Sequence, residues 1–143
     1  MIDVTLKPES YREATASGRI LLKRSTIKAI LEKRIEKGDV LQAASIAAIM
    51  AAKNTPQIVP LCHPLPLTSV ETSFEVGENH IEAKVKVKTT AKTGVEMEAL
   101  TAVTAALLTI WDMVKSYEKD STGNYPTTRI QDIKVEEKVK KTP

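Results

Sequence analysis

Asp112 and Lys115 are the first pair of side chains whose types and spacing could move protons. They lie three residues apart, and Asp112 interrupts an uncharged run directly after Trp111. On a helix this spacing places a carboxylate beside an ammonium group, and a surface ion pair of this kind contributes about 0.2–0.5 kcal/mol. If the carboxylate is instead partly desolvated, its pKa becomes adjustable and the pair can act in acid–base chemistry. These residues alone leave both interpretations open.

A second candidate is the imidazole of His63, in the proline-rich segment LCHPLPL that begins at Leu61. A histidine in such a rigid loop suits hydrogen bonding or proton transfer, although an internal histidine is also commonly structural. Zinc is not expected, because the chain has one cysteine, Cys62, and its other histidine, His80, falls in a predicted turn. A Cys–His nucleophile pair is disfavoured, since adjacent side chains rarely point at each other. We predict no metal site.

Charged groups at two predicted helix starts complete the candidates. Glu96 could close a capping box with Thr93, and Glu98 could be a favourable charge in the first turn, but both could equally face a ligand. Lys37, in the segment KGD, is explained by a last-turn lysine followed by glycine and a capping aspartate. The same joint presents a cation beside free helix N–H groups, an arrangement that holds phosphates.

Composition limits the class of protein. A length of 143 residues suits one domain, and the content of 42% hydrophobic and 3% aromatic residues predicts an aliphatic core. The net charge of +3 is too balanced to indicate nucleic-acid binding by itself. A single cysteine excludes an intramolecular disulfide and fits a reducing compartment. The chain opens without a signal segment, and its weakly polar run over 99–111 is too short to span a bilayer, so we expect a cytoplasmic protein without membrane contact.

Hydrophobic periodicity predicts the order β, α, α, β, β, α, β. A strand over 18–23 follows an N-terminal arm, residues 1–18. Helices capped by Ser25 and Asp39 end at Gly38 and near Lys53, and the proline-rich segment after them should hold no regular helix. Period-two runs over 70–76 and 81–88 form a hairpin, a long helix covers 92–120, and a strand over 127–137 precedes a basic tail, residues 138–143. We predict one catalytic domain over residues 1–143. Its fold class is α+β and ferredoxin-like, with a four-stranded antiparallel sheet and helices packed on one face.

The long helix must position carboxylates near both of its ends. Its apolar face is built by residues at helical spacing: Leu100, Val103, Leu107, Ile110, Trp111 and Val114. Glu98 and Asp112 are predicted to lie away from that face. Their separation along the helix axis is about 21 Å. One helix therefore cannot bring both carboxylates onto one small group.

Three long motifs carry a resemblance to a known family. LCHPLPL, KTGVEMEALTAVTAALLTIWDMVK and GDVLQAASIAAIMAAK together resemble the cyclic pyranopterin monophosphate synthase family, the C protein of molybdenum cofactor biosynthesis. The opening Ile2-Asp3-Val4-Thr5, with Arg12 and Gly18-Arg19-Ile20, is also similar to that family. The resemblance covers about residues 1–133. It implies a lyase that converts (8S)-3′,8-cyclo-7,8-dihydroguanosine 5′-triphosphate to cyclic pyranopterin monophosphate and releases diphosphate, without a cofactor of its own.

The resemblance also implies roles for individual residues. The matching motif positions imply catalytic roles for Asp112, Lys115, Lys37 and His63. Substrate contacts are implied for Leu61, Cys62, His63, Met97 and Glu98, with Glu96 beside them, and for the basic residues Arg12 and Lys53. The family further implies a homohexamer, a trimer of dimers with each site at a dimer interface. That arrangement would let one chain supply the start of the long helix and another chain supply its Asp112 end.

Two departures from the family's pattern affect the site. Asn54 follows Lys53 where the family commonly has a basic residue, and the chain ends in EEKVKKTP rather than in a glycine- and lysine-rich tail. Two other classes of protein remain as alternatives. One is a ferredoxin-like nucleotide- or nucleic-acid-binding module without catalysis, which the scarcity of aromatic residues disfavours. The other is a structural oligomer subunit, which the alanine-rich helices favour but which leaves the Cys-His segment unexplained.

Overall fold

The computed structural model describes residues 1–142 and contains four strands and four helices. Their order in the chain is β1 (Ser10–Leu21), α1 (Arg24–Leu31), α2 (Val40–Lys53), α3 (Thr55–Ile58), β2 (Leu67–Val76), β3 (His80–Ala91), α4 (Glu96–Glu118) and β4 (Arg129–Lys141). Apart from the short helix α3, this is the predicted sequence of elements.

The four strands form one antiparallel sheet in the order β2-β3-β1-β4. Helix α4 packs on β1, β3 and β4, while α2 packs on α4 and on β2. The predicted α+β class is therefore confirmed, and the strand order is compatible with the ferredoxin-like arrangement. β2 and β4 form the two edges of the sheet.

The core lies between this sheet and the two long helices, and it is aliphatic as predicted. On β3, alternate residues are buried while the intervening ones face outward, which is the pattern of a sheet with one covered face. The buried residues of β3 include Ile81, Ala83, Val85 and Val87. These residues share one cluster with Val103, Leu107, Ile110 and Val114 of α4. The predicted apolar face of α4 and the predicted β2–β3 hairpin are thus both present.

β1 begins eight positions earlier than the strand predicted over 18–23, at Ser10. Residues 10–18, predicted as part of an N-terminal arm, therefore lie in the centre of the sheet. The sequence lacks an apolar alternation there because Ala14 and Ala16 on the covered face are small, and because Thr15 and Ser17, which point to the other face, are buried as well. β4 likewise runs on to Lys141, which places Lys138–Lys141 of the predicted tail in a strand. Pro143 lies outside the described residues.

Of the three shorter helices, α2 has the predicted ends, whereas α1 and α3 differ from the predictions. Asp39 caps α2 as predicted, with its side chain accepting a hydrogen bond from the N–H of Gln42. α1 begins at Arg24, without the predicted side-chain cap from Ser25, and ends at Leu31 rather than at Gly38. α1 ends early because Lys33 adopts a left-handed φ of 56°. α3 is a turn of helix inside the proline-rich segment, where none was predicted; its proline occupies the first turn, a position that needs no donor.

The start of α4 does not contain the predicted capping box. The helix begins at Glu96, with Val95 as its N-cap and no side-chain cap hydrogen bond, so Thr93 is too early to serve. Glu98, which was predicted to lie away from the apolar face of the helix, is nevertheless buried, with 2% of its area exposed. By length and composition alone α4 could cross a bilayer, but its apolar residues pack onto the sheet and α2.

Candidate functional site

Lys37, Asp112 and Lys115 meet on the surface of α4. Lys37 Nζ lies 2.9 Å from Asp112 Oδ2, and Lys115 Nζ lies 3.3 Å from Asp112 Oδ1. Lys37 Nζ also donates to the main-chain carbonyl oxygen of Asp112 at 3.2 Å. Hydrogen bonds from Lys37 and then Lys115 lower the pKa of Asp112 below its ordinary value. The result is an ionised carboxylate held between two cations and open to solvent.

Two elements bring this cluster together. Asp112 and Lys115 share a face of α4 because they are three residues apart. Lys37 comes from residues 32–39, the connection between α1 and α2, which we call the Lys37 segment. Its path is fixed by positive φ angles at Lys33 and Gly38 and by the buried side chain of Ile35. Sequence reasoning identified all three charged residues but did not predict that Lys37 reaches Asp112.

Glu98 is a buried carboxylate without a partner. Neither of its carboxylate oxygens accepts a hydrogen bond from another residue that the structure describes. Burial, followed by the charge of Glu96, raises the pKa of Glu98 above its ordinary value. An unsatisfied buried group of this kind costs about 1–3 kcal/mol, so it needs an explanation. A ligand that donates N–H groups to both oxygens would supply one.

The Cys62 and His63 side chains lie near the start of α4. Burial raises the pKa of the Cys62 thiol, and the negative charge of Glu98 raises it further. His63 donates from Nε2 to the carbonyl oxygen of Ile2 at 2.7 Å. A cavity of about 500 Å³ beside it is lined by residues 1–5, His63 and Lys92. The N-terminal segment thus closes one side of the His63 loop.

A charged corner of the sheet adjoins the same helix start. Lys138 Nζ of β4 lies 2.6 Å from Glu96 Oε1. Burial alone would raise the pKa of Glu96, but the hydrogen bond from Lys138 and the charge of Arg12 lower it below its ordinary value. Arg12 donates to the carbonyl oxygen of Lys92 at 3.4 Å, while its Nε is buried and has no hydrogen-bond partner within residues 1–142. Sequence reasoning missed Lys138 because it assigned that residue to a tail rather than to a strand.

The remaining site candidates lie at the surface. Leu61 and Met97 expose 72% and 41% of their area, so both side chains are accessible to a ligand or to another chain. Lys53 ends α2 and is exposed, and it forms no ion pair within residues 1–142. The structure thus does not bring Lys53 to either charged cluster.

The candidate residues therefore fall into two groups at opposite ends of α4. One is the Lys37–Asp112–Lys115 cluster, and the other surrounds Glu98 at the helix start. Along the helix axis the two are separated by about 21 Å. Within the part of the chain that the structure describes, no group of three or more His, Cys, Asp or Glu side chains is placed to hold a metal ion.

One of the three lysines of β3 is paired with a carboxylate. Lys88 Nζ lies 3.2 Å from Glu71 Oε1, whereas Lys84 and Lys86 form no ion pair within residues 1–142. Nucleic-acid phosphates are bound by cations that are free to replace counterions. The pairing of Lys88 therefore leaves, among the described residues, only two free lysines on this strand, a small cationic surface for the nucleic-acid-binding alternative.

Comparison with known proteins gives a consistent match. The profile of the MoaC family matches residues 1–141. A protein of Aeropyrum pernix named probable cyclic pyranopterin monophosphate synthase is 60% identical over 140 residues, which cover 98% of this chain and 96% of that one. A Pyrococcus abyssi protein of the same name is 58% identical over 140 residues, covering 98% and 88%. A Methanothermobacter thermautotrophicus protein named probable cyclic pyranopterin monophosphate synthase accessory protein is 58% identical over 140 residues, again covering 98% and 88%.

Proposed function

This chain belongs to the MoaC family, and we propose that it is a cyclic pyranopterin monophosphate synthase of molybdenum cofactor biosynthesis. As a lyase it converts (8S)-3′,8-cyclo-7,8-dihydroguanosine 5′-triphosphate to cyclic pyranopterin monophosphate and releases diphosphate. The observation that carries the proposal is the cluster in which Asp112 lies 2.9 Å from Lys37 Nζ and 3.3 Å from Lys115 Nζ. The cluster combines a proton acceptor with two proton donors at one exposed position.

The chemistry of the reaction requires such a combination. Opening a purine-derived ring and rebuilding it as a pterin needs groups that both give and take protons. Forming a cyclic phosphate while diphosphate leaves needs cations aimed at the developing negative charge. We assign the proton transfers to Lys115, Lys37 and His63. Asp112, kept ionised by the two lysines, then orients them and accepts protons in turn.

Recognition of the substrate ring is assigned to the start of α4. Glu98 has two open carboxylate oxygens in a buried setting, and a guanine-derived ring presents adjacent N–H groups that would donate to both. Other contacts would come from Leu61, Cys62, Met97 and Glu96. The triphosphate carries the opposite charge, so Arg12 and Lys53 are its proposed partners.

Because about 21 Å of helix separates Glu98 from Asp112, we propose that each site combines two chains. One chain supplies the Glu98 end with the Cys62–His63 loop, and the other supplies Lys37, Asp112 and Lys115. The proposed assembly is a homohexamer, a trimer of dimers with a site at each dimer interface. Exposed apolar side chains on α2, such as Ile46 at 53% and Met50 at 57%, offer surface for these contacts. The proposed location is the cytoplasm, in keeping with the free thiol of Cys62.

The deciding experiment is turnover of the cyclic dihydroguanosine triphosphate by the purified protein. Formation of cyclic pyranopterin monophosphate and of diphosphate would be followed by chromatography and by a coupled diphosphate assay. Asp112→Asn serves as the matched negative control, because it keeps the side-chain volume and removes the charge. Folded wild-type protein that yields no more product than Asp112→Asn would rule out the synthase activity.

A further inference from the structure

The Lys37 segment is mostly exposed, and Ile35 is its one buried side chain. Residues 32–39 belong to no helix or strand. The Lys37–Asp112 ion pair leaves 47% of the lysine side chain and 58% of the aspartate side chain accessible. An exposed ion pair between flexible side chains does little to order the backbone that carries it. A contact that holds the backbone of the segment, in addition to the burial of Ile35, therefore helps to keep Lys37 beside Asp112.

Tyr117 supplies such a contact from α4 itself. Its hydroxyl donates to the carbonyl oxygen of Arg34 at 3.1 Å, three residues before Lys37. Tyr117 and Asp112 lie on the same helix about 7.5 Å apart along its axis. The two residues thus contact the Lys37 segment at two points from one rigid element. A tyrosine ring has few rotatable bonds, so its hydroxyl fixes a backbone atom at small entropic cost.

The next residue of α4 fixes the other end of the same stretch of chain. Glu118 is fully buried, and its carboxylate accepts hydrogen bonds from the N–H of Lys23, at 3.1 Å, and from the hydroxyl of Thr26. Lys23 Nζ in turn donates to the carbonyl oxygen of Tyr117 at 3.3 Å. The last turn of α4 therefore holds the start of α1 through Glu118 and the connection after α1 through Tyr117.

We propose that Tyr117 is a positioning residue that holds Lys37 against Asp112. It touches neither substrate nor reacting atoms in this role, and it acts through the backbone of the Lys37 segment. The effect of Tyr117 on activity rests on the proposed synthase function. Its effect on the contact between Lys37 and Asp112 does not depend on that function. Tyr117 and Glu118 together make the end of α4 a support for the loop that delivers a lysine to the cluster.

Tyr117→Phe in the full-length protein tests this inference, because it removes the hydroxyl and keeps the ring. Carbon-13 NMR of the Asp112 carboxyl, measured without substrate, should show its pKa rising toward the ordinary value as Lys37 spends less time in contact. Lys37→Ala marks the largest rise that loss of Lys37 can produce. We expect Tyr117→Phe to lower kcat by about twofold to tenfold, the range of one hydrogen bond, with KM nearly unchanged.

Two comparisons separate positioning from general stabilisation. Tyr11→Phe makes the same chemical change on β1, where the hydroxyl donates to Glu13, and should leave the pKa of Asp112 and kcat unchanged. Adding Tyr117→Phe to Lys37→Ala should cause no further loss of kcat, because the residue on which Tyr117 acts is already absent. An Asp112 pKa in Tyr117→Phe equal to that of Tyr11→Phe, or full additivity in the double variant, would overturn the inference. Wild-type protein without turnover would refute the synthase proposal and leave the pKa measurement to decide the positioning role.

Discussion

Lys37 Nζ lies 2.9 Å from Asp112 Oδ2, although the two residues are 75 positions apart in the chain. Helical spacing alone pairs Asp112 with Lys115, so the second lysine changes the character of the site. One carboxylate now faces two ammonium groups, which lowers its pKa and keeps it ionised throughout the neutral range. Either lysine could give up a proton while the other preserves the ion pair. This arrangement suits a reaction that transfers protons more than once.

Lys115→Ala should lower kcat by about 10²–10⁴-fold, the range for loss of a general acid or base, while substrate affinity changes little. The reason is that Lys37 remains to pair with Asp112, and that Arg12 and Lys53, the proposed partners of the triphosphate, are unchanged. Single-turnover kinetics and binding by calorimetry would measure the two quantities. Lys119→Ala, one turn further along the chain, provides the control, because its ammonium group lies 6.0 Å from the Tyr125 ring and is not part of the cluster. Near-normal turnover in Lys115→Ala would remove this lysine from the mechanism.

Glu98→Gln should make the protein more stable at neutral pH by about 1 kcal/mol, because it removes a buried charge without partners. The folded-state pKa of Glu98 is raised. As pH rises above the ordinary value of 4.5, the unfolded chain loses this proton while the folded chain keeps it. Stability therefore falls with rising pH until the folded-state pKa is passed, and Glu98→Gln should abolish that fall. Urea denaturation of both proteins between pH 4 and 8 measures the difference.

Glu96→Gln gives a control of opposite sign for the same experiment. The folded-state pKa of Glu96 is lowered, with Lys138 as the principal favourable partner. Its contribution to stability is therefore present above the ordinary value of 4.5 and is lost as pH falls through the folded-state pKa. Glu96→Gln should destabilise at neutral pH and converge with wild type in acid. Equal shifts of stability in the two variants would contradict the assigned environments.

Sequence patterns anticipated those parts of the molecule that have one buried and one exposed face. The β2–β3 hairpin, the cap of α2 at Asp39 and the apolar stripe of α4 all follow from local period. The first part of β1 was not predicted because its buried residues are small and include Thr15 and Ser17, so the apolar–polar alternation that marks a strand is missing. The burial of Glu98 was not predicted because a helical wheel with one apolar face shows nothing about residues that lie off that face and are buried by other parts of the chain.

The contacts between residues of the candidate site could not be predicted from local sequence patterns, for a different reason. Lys37 reaches Asp112 through an irregular connection, and Lys138 reaches Glu96 only because β4 extends past the predicted strand end. Both contacts depend on how separate elements pack, and neither has a periodic signal. The motif resemblance implied a catalytic role for Lys37 but did not indicate its contact with Asp112, and it implied no role for Lys138.

Glu118→Ala should destabilise the protein by about 2–5 kcal/mol, because it leaves several buried donors without an acceptor. The carboxylate accepts from Thr128, at 2.7 Å, as well as from Lys23 and Thr26. It thereby joins the end of α4 to α1 and to the approach to β4. Chemical denaturation would measure the loss, with Glu137→Ala on the exposed edge strand as the control. A loss below that of the control would show that the network contributes nothing to stability.

Gly18→Ala should cost about 1–3 kcal/mol through overpacking beneath α4. A β-carbon at this position would lie 2.9 Å from Ile133 Cγ1 and 3.0 Å from both Leu107 Cδ1 and Val103 Cγ1. The backbone of β1 therefore approaches α4 and β4 more closely than any larger residue allows. Thermal unfolding, compared with Ser73→Ala on the exposed face of β2, would detect the change. Unaltered stability in Gly18→Ala would mean that these side chains move apart freely.

Complementation between two inactive variants tests whether a site combines two chains. Glu98→Ala and Asp112→Ala each remove one end of α4 from the proposed site, and the rise of the helix keeps those ends about 21 Å apart within one chain. In a mixed assembly, some interfaces join a chain with an intact Glu98 end to a chain with an intact Asp112 end. At random pairing about a quarter of the sites should regain both halves, and activity should recover in proportion.

The mixture must be formed under conditions in which subunits exchange, and mass spectrometry of differently tagged chains would establish that exchange. The matched control is a mixture of Glu98→Ala with Met97→Ala, a second variant at the same end of α4. Both changes alter the Glu98 end of the site, so no interface in that mixture joins an intact Glu98 end to an intact Asp112 end. Recovery confined to the Glu98→Ala and Asp112→Ala mixture would establish sites shared between chains. If the mixture is as inactive as its parents although the subunits exchange, sites shared between chains are ruled out, and each site must be built from one chain.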